Sequence, residues 1–325
     1  MKARLVFIII GLLTFNLTIG QNLDTYKVLV DEAWGFYKLK KYQKSADKYK
    51  EAFDILEGKA YPNDRYNAAC SYAMSENIEV AFYHLFRLAN DSKYKNYNHI
   101  TTDKDLNLLY NNKQWNELIL KVKLNKDEYE KDLDMPLVNM LDSIFKEDQD
   151  YRMQLSEIEE KYGRGSDEIR EQWDMINLKD SINLIKIVRI LDEKGWLGSD
   201  IIGDQGNSTL FLVIQHADID TQVKYLPMMR EAVKNENARG SSLALLEDRV
   251  SMRQGNRQIY GSQISRDQVS GEFYVAPLID PENVDERRAK VGLGSIADYV
   301  KNWDMTWDVE KHKERATKIV AERKD

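Results

Sequence analysis

Between Leu23 and Glu57, small and aromatic positions alternate: Ala33 and Phe36 are followed by Tyr42, Ser45, Tyr49 and Ala52. Such alternation lets two antiparallel helices interlock, and it predicts a helical hairpin. Thirty-six residues after Ala33 the pattern returns, with Ala69 and Tyr72 followed by Ala81, Leu85 and Leu88. From Leu137 the stripe Leu137, Leu141, Ile144, Asp148, Tyr151, Leu155, Ile158 and Tyr162 advances by steps of four and three, ending at Gly163. A second stripe starts behind Ser166, a good N-cap, and runs Ile169, Trp173, Ile176, Asp180, Asn183, Ile187 and Ile190 to Gly195. Two heptad-like faces in succession predict an antiparallel helix pair. Neither run lasts beyond about four heptads, which argues against an extended coiled coil.

The interruptions matter more than the stripes. Asp148 sits in the middle of the first apolar face, with Arg152 one turn on to pair with it, and Asp180 and Asn183 sit in the middle of the second. Packing the faces together forces these groups into one neighbourhood. They form either a buried network that fixes helix register or the floor of a pocket.

The apolar run Leu210 to Ile214 drops straight into Gln215, His216, Ala217 and Asp218. Polar side chains at the end of a buried segment are costly unless paired or used, so this is the strongest site signal in the chain. Before it, Gly198 to Asn207 reads as a loop leading to Ser208, the cap of a helix from Thr209 to Ala217. The loop lacks the lysine and spacing of a phosphate loop. A helix from Thr221 to Asn235 carries Pro227 as a kink, and Ser241 or Ser242 caps a helix from Leu243 to Arg253. On that helix Asp248 and Arg249 lie beside apolar surface. Arg257–Ile264 and Glu272–Leu278 read as a β-hairpin, placing Gln258, Tyr260 and Gln263 on one strand face or just past its end. Gly294 to Asn302 supplies a last packed helix with Trp303 and Trp307 as edge anchors, and Asp308 to Asp325 reads as a charged, solvated helix or tail.

A period near 34 residues with small residues at the helix crossing is the signature of tetratricopeptide repeats, and residues 66–73 closely resemble the last repeat of bacterial proteins of that kind. In the first hairpin Ser45 stands where Ala is usual. The expected organisation is therefore mainly α: a repeat block over 23–120, a charged junction over 121–135, a helical domain with one small β-hairpin over 136–306, and a charged tail over 307–325.

Composition sharpens this outline. Lys2 and Arg4, the apolar run Leu5 to Leu13, and Thr18-Ile19-Gly20 read as a signal peptide cut after residue 20, so an exported protein, periplasmic or secreted, is expected. An uncleaved membrane anchor is the alternative, although the apolar run is shorter than a full span. Loss of Lys2 and Arg4 with the leader takes the formal net charge from −7 to −9. Such an acidic chain suits neither nucleic acid nor an anionic membrane. The single cysteine, Cys70, allows no internal disulfide and reads as a small buried hydrophobe.

Four scattered histidines form no ligand-spaced pair, so no metal and no cofactor is expected, with a mixed site of His216, Asp218 and Asp248 as the alternative. No Ser elbow or Cys–His pairing marks a nucleophile. Carboxylates drawn from Asp148, Asp180, Asp218 and Asp248 could do acid–base work on a carbohydrate or similar substrate.

Over about residues 136–306, Asp148-Gln149 with Arg152, Asp180 with Asn183, Gly195-Trp196, Gln215-His216-Ala217-Asp218, Gln222, Tyr225-Leu226-Pro227, Leu246 to Val250, Gln258 to Gln263, Arg287-Arg288 and Gly292-Leu293 together resemble a bacterial domain family of unknown function. Members often carry Thr where Ser262 stands here. That resemblance implies no activity, and a repeat block ahead of the domain implies protein–protein contact by analogy. The leading expectation is an exported binding protein, with repeats for a protein partner and a polar ligand pocket behind them. The rival is an envelope hydrolase using carboxylates and His216 on a carbohydrate or peptide. Asp148, Arg152, Asp180, Asn183, Gln215, His216, Asp218, Asp248, Arg249, Gln258, Tyr260 and Gln263 are expected to share one pocket, and Asp248→Asn or His216→Gln to cost function but little stability.

Overall fold

The computed structural model describes residues 22–267 and 270–322. The expected signal peptide lies outside the described residues. Contacts divide the chain into two units, one ending at Lys131 and one beginning at Asp132. Helices dominate both, and the mainly α expectation holds, with a single small two-stranded sheet near the C-terminus among the described residues. Among the described residues no helix is long and apolar enough to cross a membrane.

The first unit is built from α1 (22–38), α2 (Tyr42–Ile55), α3 (Pro62–Met74), α4 (Ile78–Asp91), α5 (Tyr97–Thr102) and α6 (Lys113–Glu130). Its core consists of small residues where helices cross, Ala33, Ala46, Ala52, Ala69 and Ala81, interleaved with Tyr26, Tyr49, Phe82, Leu85 and Leu88. Ser45 has a physical reason: its buried hydroxyl meets the Ser71 hydroxyl at 2.9 Å, and Ser71 in turn donates to the Asn67 carbonyl. The charged stretch expected as a junction is helical through Glu130, and Asn125 Nδ2 binds the Ala89 and Tyr94 carbonyls. Cys70 is buried, as expected.

In the second unit, α7 (Met135–Met153) is capped by Asp134 and followed after a break at Gln154 by α8 (Leu155–Tyr162). The first stripe thus spans two helices. Next, α9 (Asp167–Lys194) starts at Ser166, whose hydroxyl accepts from the Ile169 amide, and ends at Gly195. The α10 helix (Ser199–His216) corrects the sequence reading. The glycine-bearing stretch is mostly helical, interrupted only at Gly203, whose φ of 70° turns the chain. Its polar groups are absorbed locally: Ser208 and Thr209 bond back to Asp204 and Gln205, and Asn207 Nδ2 reaches the Leu197 and Asn237 carbonyls.

Asp218 caps α11 (Ile219–Lys234), which keeps Pro227 in its interior, and α12 (Gly240–Arg253) starts without the expected serine cap. Leu141, Ile144, Ile187, Leu210, Ile214, Tyr225, Met229 and Leu246 form the shared core of α7, α9, α10, α11 and α12. The hairpin is shorter than expected. Strands β1 (Ile264–Arg266) and β2 (Phe273–Val275) pair antiparallel, Ser265 opposite Tyr274, while Arg257–Gln263 is not strand. Gln258 instead bridges Leu278 in parallel register. Helices α13 (Val284–Lys290) and α14 (Ile296–Val300) close a small second core with Val275 and Leu278, and α15 (Val309–Glu322) follows. Buried His312 and Ala316 make α15 a packed helix and correct the solvated-tail reading.

Gly261 ties this second core to the loop before β1. Its φ is +71°, and an added Cβ would lie 2.6 Å from Ile296 Cδ1. Gly261→Ala is therefore expected to destabilise the domain by about 1–3 kcal/mol in chemical denaturation, through strain and overpacking together. An unchanged midpoint would contradict that packing.

Candidate functional site

Asp148 is 1 % exposed, on the α7 face turned toward α9 and α10. An isolated carboxylate there would cost several kcal/mol, so partners are obligatory. The structure supplies them. His216 Nδ1, at the end of α10, lies 2.9 Å from Asp148 Oδ1, and Gln149 Nε2 donates to Oδ2 at 2.6 Å. Arg152, one turn on, brings Nη1 to 3.2 Å of Asp148 Oδ1 and donates through Nη2 to Asp180 Oδ2 on α9 at 2.6 Å. The four groups that interrupt or end three apolar segments thus form one chain: Asp180, Arg152, Asp148, His216. Asn183, also on α9, is fully buried, and neither atom of its amide has a protein partner.

Burial alone would raise the Asp148 pKa, but the His216 hydrogen bond and the charges of His216 and Arg152 outweigh it, leaving the carboxyl below its ordinary range. Asp148 is thus an anion that fixes the imidazole. With Nδ1–H donated to a carboxylate, Nε2 is the ring nitrogen left to take or give a proton.

A cavity of about 230 Å³ opens beside this chain, lined by Asp180, Ser181, Leu184, Val213, His216 and Asp218 among others. Asp180 contributes the decisive detail. Its Oδ2 is held by Arg152, whereas Oδ1 is buried and has no protein partner. Ser181 and Asn177 were not expected in the site; Ser181 lies one residue past Asp180, and Asn177 one turn before it.

The remaining expected residues form a second, structural cluster. Asp248 is fully buried, but its carboxylate accepts three backbone amides, Ile259 at 2.6 Å, Tyr260 at 3.0 Å and Ser262 at 2.9 Å. Gln258 binds both main-chain groups of Gln263 and the Ala276 carbonyl. Arg249 donates to the Gln215 carbonyl at 2.9 Å and to Gln263 Oε1 at 3.2 Å, and burial depresses its pKa. Tyr260 contributes its amide here, not its hydroxyl, to the Asp248 clamp. Arg288, a motif position not expected in the pocket, and Tyr299, which carried no signal in the sequence, bind the Tyr260 and Ser262 carbonyls.

The two clusters meet at the end of α10. Arg249 and Gln222 bond the Gln215 carbonyl, and Arg253 and Gln222 bond that of Ala217, so the backbone on both sides of His216 is clamped. Gln215 Oε1 is buried without a partner. The single pocket expected from sequence is thereby corrected: Asp148, Arg152, Asp180 and His216 make the site, while Asp248, Arg249, Gln258, Tyr260 and Gln263 hold the loop and helix end that support it. Asp218 lines the cavity but spends Oδ1 on the Thr221 amide as the α11 cap.

Asp148, Asp180 and His216 offer ligand atoms that lie within 4.8 Å of one another, a set able to hold a cation. Arg152 already bridges both carboxylates and provides the positive charge there. The alternative set with Asp218 and Asp248 does not form, because those carboxylates hold backbone amides. In the first unit Cys70, Asp103 and Asp105 are equally close, but burial pushes the Cys70 thiol up and keeps it protonated, and Tyr66 and Tyr37 hydroxyls occupy the carboxylates.

Two stability predictions follow from these roles. Asp248→Asn replaces an acceptor with an amide group facing backbone N–H donors, so a loss of about 3 kcal/mol is expected in denaturant titration; a loss below about 0.5 kcal/mol would contradict the clamp. This revises the expectation that Asp248→Asn spares stability. For Asp148 the folded pKa is depressed, so its stabilisation is complete above about pH 4 and drains away as the pH falls through the folded value. Asp148→Asn is expected to cost about 3–5 kcal/mol at neutral pH, a deficit that narrows on acidification. A pH-independent deficit would be the contrary result.

Residues 132–311 match the model of a family of unknown function, DUF6624, a span of more than half the chain. Neither the curated proteins nor the solved structures hold a match. The resemblance carried by the Asp148, His216, Asp248 and Gln258–Gln263 motifs is thus borne out over the second unit: the chain belongs to the family of unknown function DUF6624.

Proposed function

We propose that the second unit is a binding domain that takes a small polar ligand into the cleft between Asp180 and His216. The observation that carries this is a cavity lined by both Asp180 and His216, in which Asp180 keeps one buried carboxylate oxygen, Oδ1, without a protein partner. A buried carboxylate oxygen without a donor is expensive, and a ligand N–H or O–H entering the cleft supplies one. His216, oriented through Nδ1 by Asp148, provides a second polar contact at Nε2. Arg152 is engaged with both carboxylates and holds the floor in register.

In this reading the first unit is a tetratricopeptide-type block that contacts a protein partner. Its support is the stacked helix pairs with alanines at the crossings and the recurrence near 34 residues. The leader-like N-terminus, with Lys2 and Arg4 ahead of Leu5 to Leu13, supports export to the periplasm or the exterior. The acidic net charge argues against nucleic acid as the partner.

One observation favours a second reading, an envelope hydrolase. A buried carboxylate holding Nδ1 of a cavity-lining histidine is the arrangement of an oriented general base. Asp148 is too buried to touch substrate, so Asp180 would be the second catalytic group. Incubation of the purified protein with envelope extracts, read by mass spectrometry of retained and converted molecules, separates the two. Saturable retention without conversion, lost in Asp180→Asn and in His216→Gln, is the expected result. Conversion that His216→Gln slows by about 100-fold or more would establish the hydrolase. Neither retention nor conversion, with both variants folded, would overturn the site.

A further inference from the structure

Arg65, on α3 in the first unit, is 5 % exposed, yet among the described residues no carboxylate lies within ion-pairing distance of it. Its Nη2 donates to the Gly58 carbonyl at 2.8 Å, its Nη1 faces His84 Nδ1 at 3.3 Å, and its guanidinium sits 5.3 Å over the Phe53 ring. Arg87 Nη1 reaches the same Gly58 carbonyl at 3.1 Å. A buried guanidinium without a counter-ion is costly, and this one lies on the wall of a cavity of about 400 Å³ framed by α2, α3 and α4. That volume falls within the range of small-molecule sites.

The rest of the lining narrows the ligand. Phe53, Tyr72, Val80 and Tyr83 give apolar and aromatic wall, and His84 stacks on Tyr72 with ring centres 5.3 Å apart. With Nδ1 turned to Arg65, His84 keeps its proton on Nε2 and is a donor. Burial, then the charges of Arg65 and Arg87, push the His84 pKa down to about 4, so the ring is neutral at physiological pH. Asp47 and Asp54 also line the space, Asp54 paired with Lys50, and their charge disfavours a dianion such as a phosphate monoester. A single negative charge on an apolar body fits both the unmatched cation and the wall.

We propose that this cavity binds an organic monocarboxylate, with Arg65 and the His84 Nε2–H receiving the carboxylate and Phe53, Tyr72 and Tyr83 enclosing the apolar part. The site lies wholly in the first unit and does not depend on the reading of the His216 cleft.

The test uses full-length protein with isotope-labelled histidine, the His84 signal being assigned by its loss in His84→Gln. The probe is 3-phenylpropionate, with 3-phenylpropanamide as the neutral isostere and phenethyl phosphate as the dianion. A saturable shift of the His84 resonance with the carboxylate, at least about tenfold weaker with the amide and in Arg65→Gln, is expected. Equal binding of acid and amide would reduce the cavity to an apolar hole and overturn the proposal. So would tighter binding of the phosphate, or no saturable shift with any probe. Should Arg65→Gln fail to fold, the comparison of acid with amide on the natural chain still decides.

Discussion

A single buried negative charge organises the second unit. Asp148 lies in the middle of an apolar helix face, where desolvation penalises its ionised form. Only hydrogen bonds and opposite charge can hold it ionised. That requirement brings Arg152, the C-terminal end of α10 with His216, and through Arg152 the Asp180 turn of α9 to one point. Apolar packing among Leu141, Ile187, Leu210 and Ile214 supplies the bulk of the burial, but it is tolerant of small slips in register. The charge is not.

A second buried carboxylate does a different task by the same logic. Asp248 collects the amides of Ile259, Tyr260 and Ser262, groups that no ladder satisfies because Arg257–Gln263 is not strand. The loop so formed presents Gln263 to Arg249, and Arg249 holds the Gln215 carbonyl. His216 is therefore fixed twice, through its ring by Asp148 and through its backbone neighbours by Arg249, Arg253 and Gln222. A side chain oriented from both ends suits ligand contact, where misplacement by about 1 Å is costly.

Much of this was legible in the sequence because period and polarity conflict only where something must be paid in desolvation. Asp148, Arg152, Asp180 and His216 announced themselves by breaking apolar runs, and all four meet. Asp248 and Gln258 announced themselves equally well, but a buried acceptor for backbone amides looks the same in one dimension as a buried ligand contact. Sequence alone could not divide the two classes, since the division rests on which donors the loop leaves unpaired. The first half of α10 misled for a related reason: Gly203 supplies one left-handed residue within a helix, whereas glycines and polar residues together read as a loop. Gln222 stood among the motif positions, but its role and that of Arg253 were not legible because both act on carbonyls, which no side-chain pattern reveals.

The central claim is that Asp148 holds the Nδ1–H tautomer of His216 and leaves Nε2 to the cleft. Nitrogen NMR of isotope-labelled histidine reads that tautomer directly in the neutral ring. The account predicts that the neutral imidazole of His216 carries its proton on Nδ1, with loss of this preference in Asp148→Asn. A neutral ring with its proton on Nε2 in the natural chain, or a tautomer indifferent to the substitution, would contradict it.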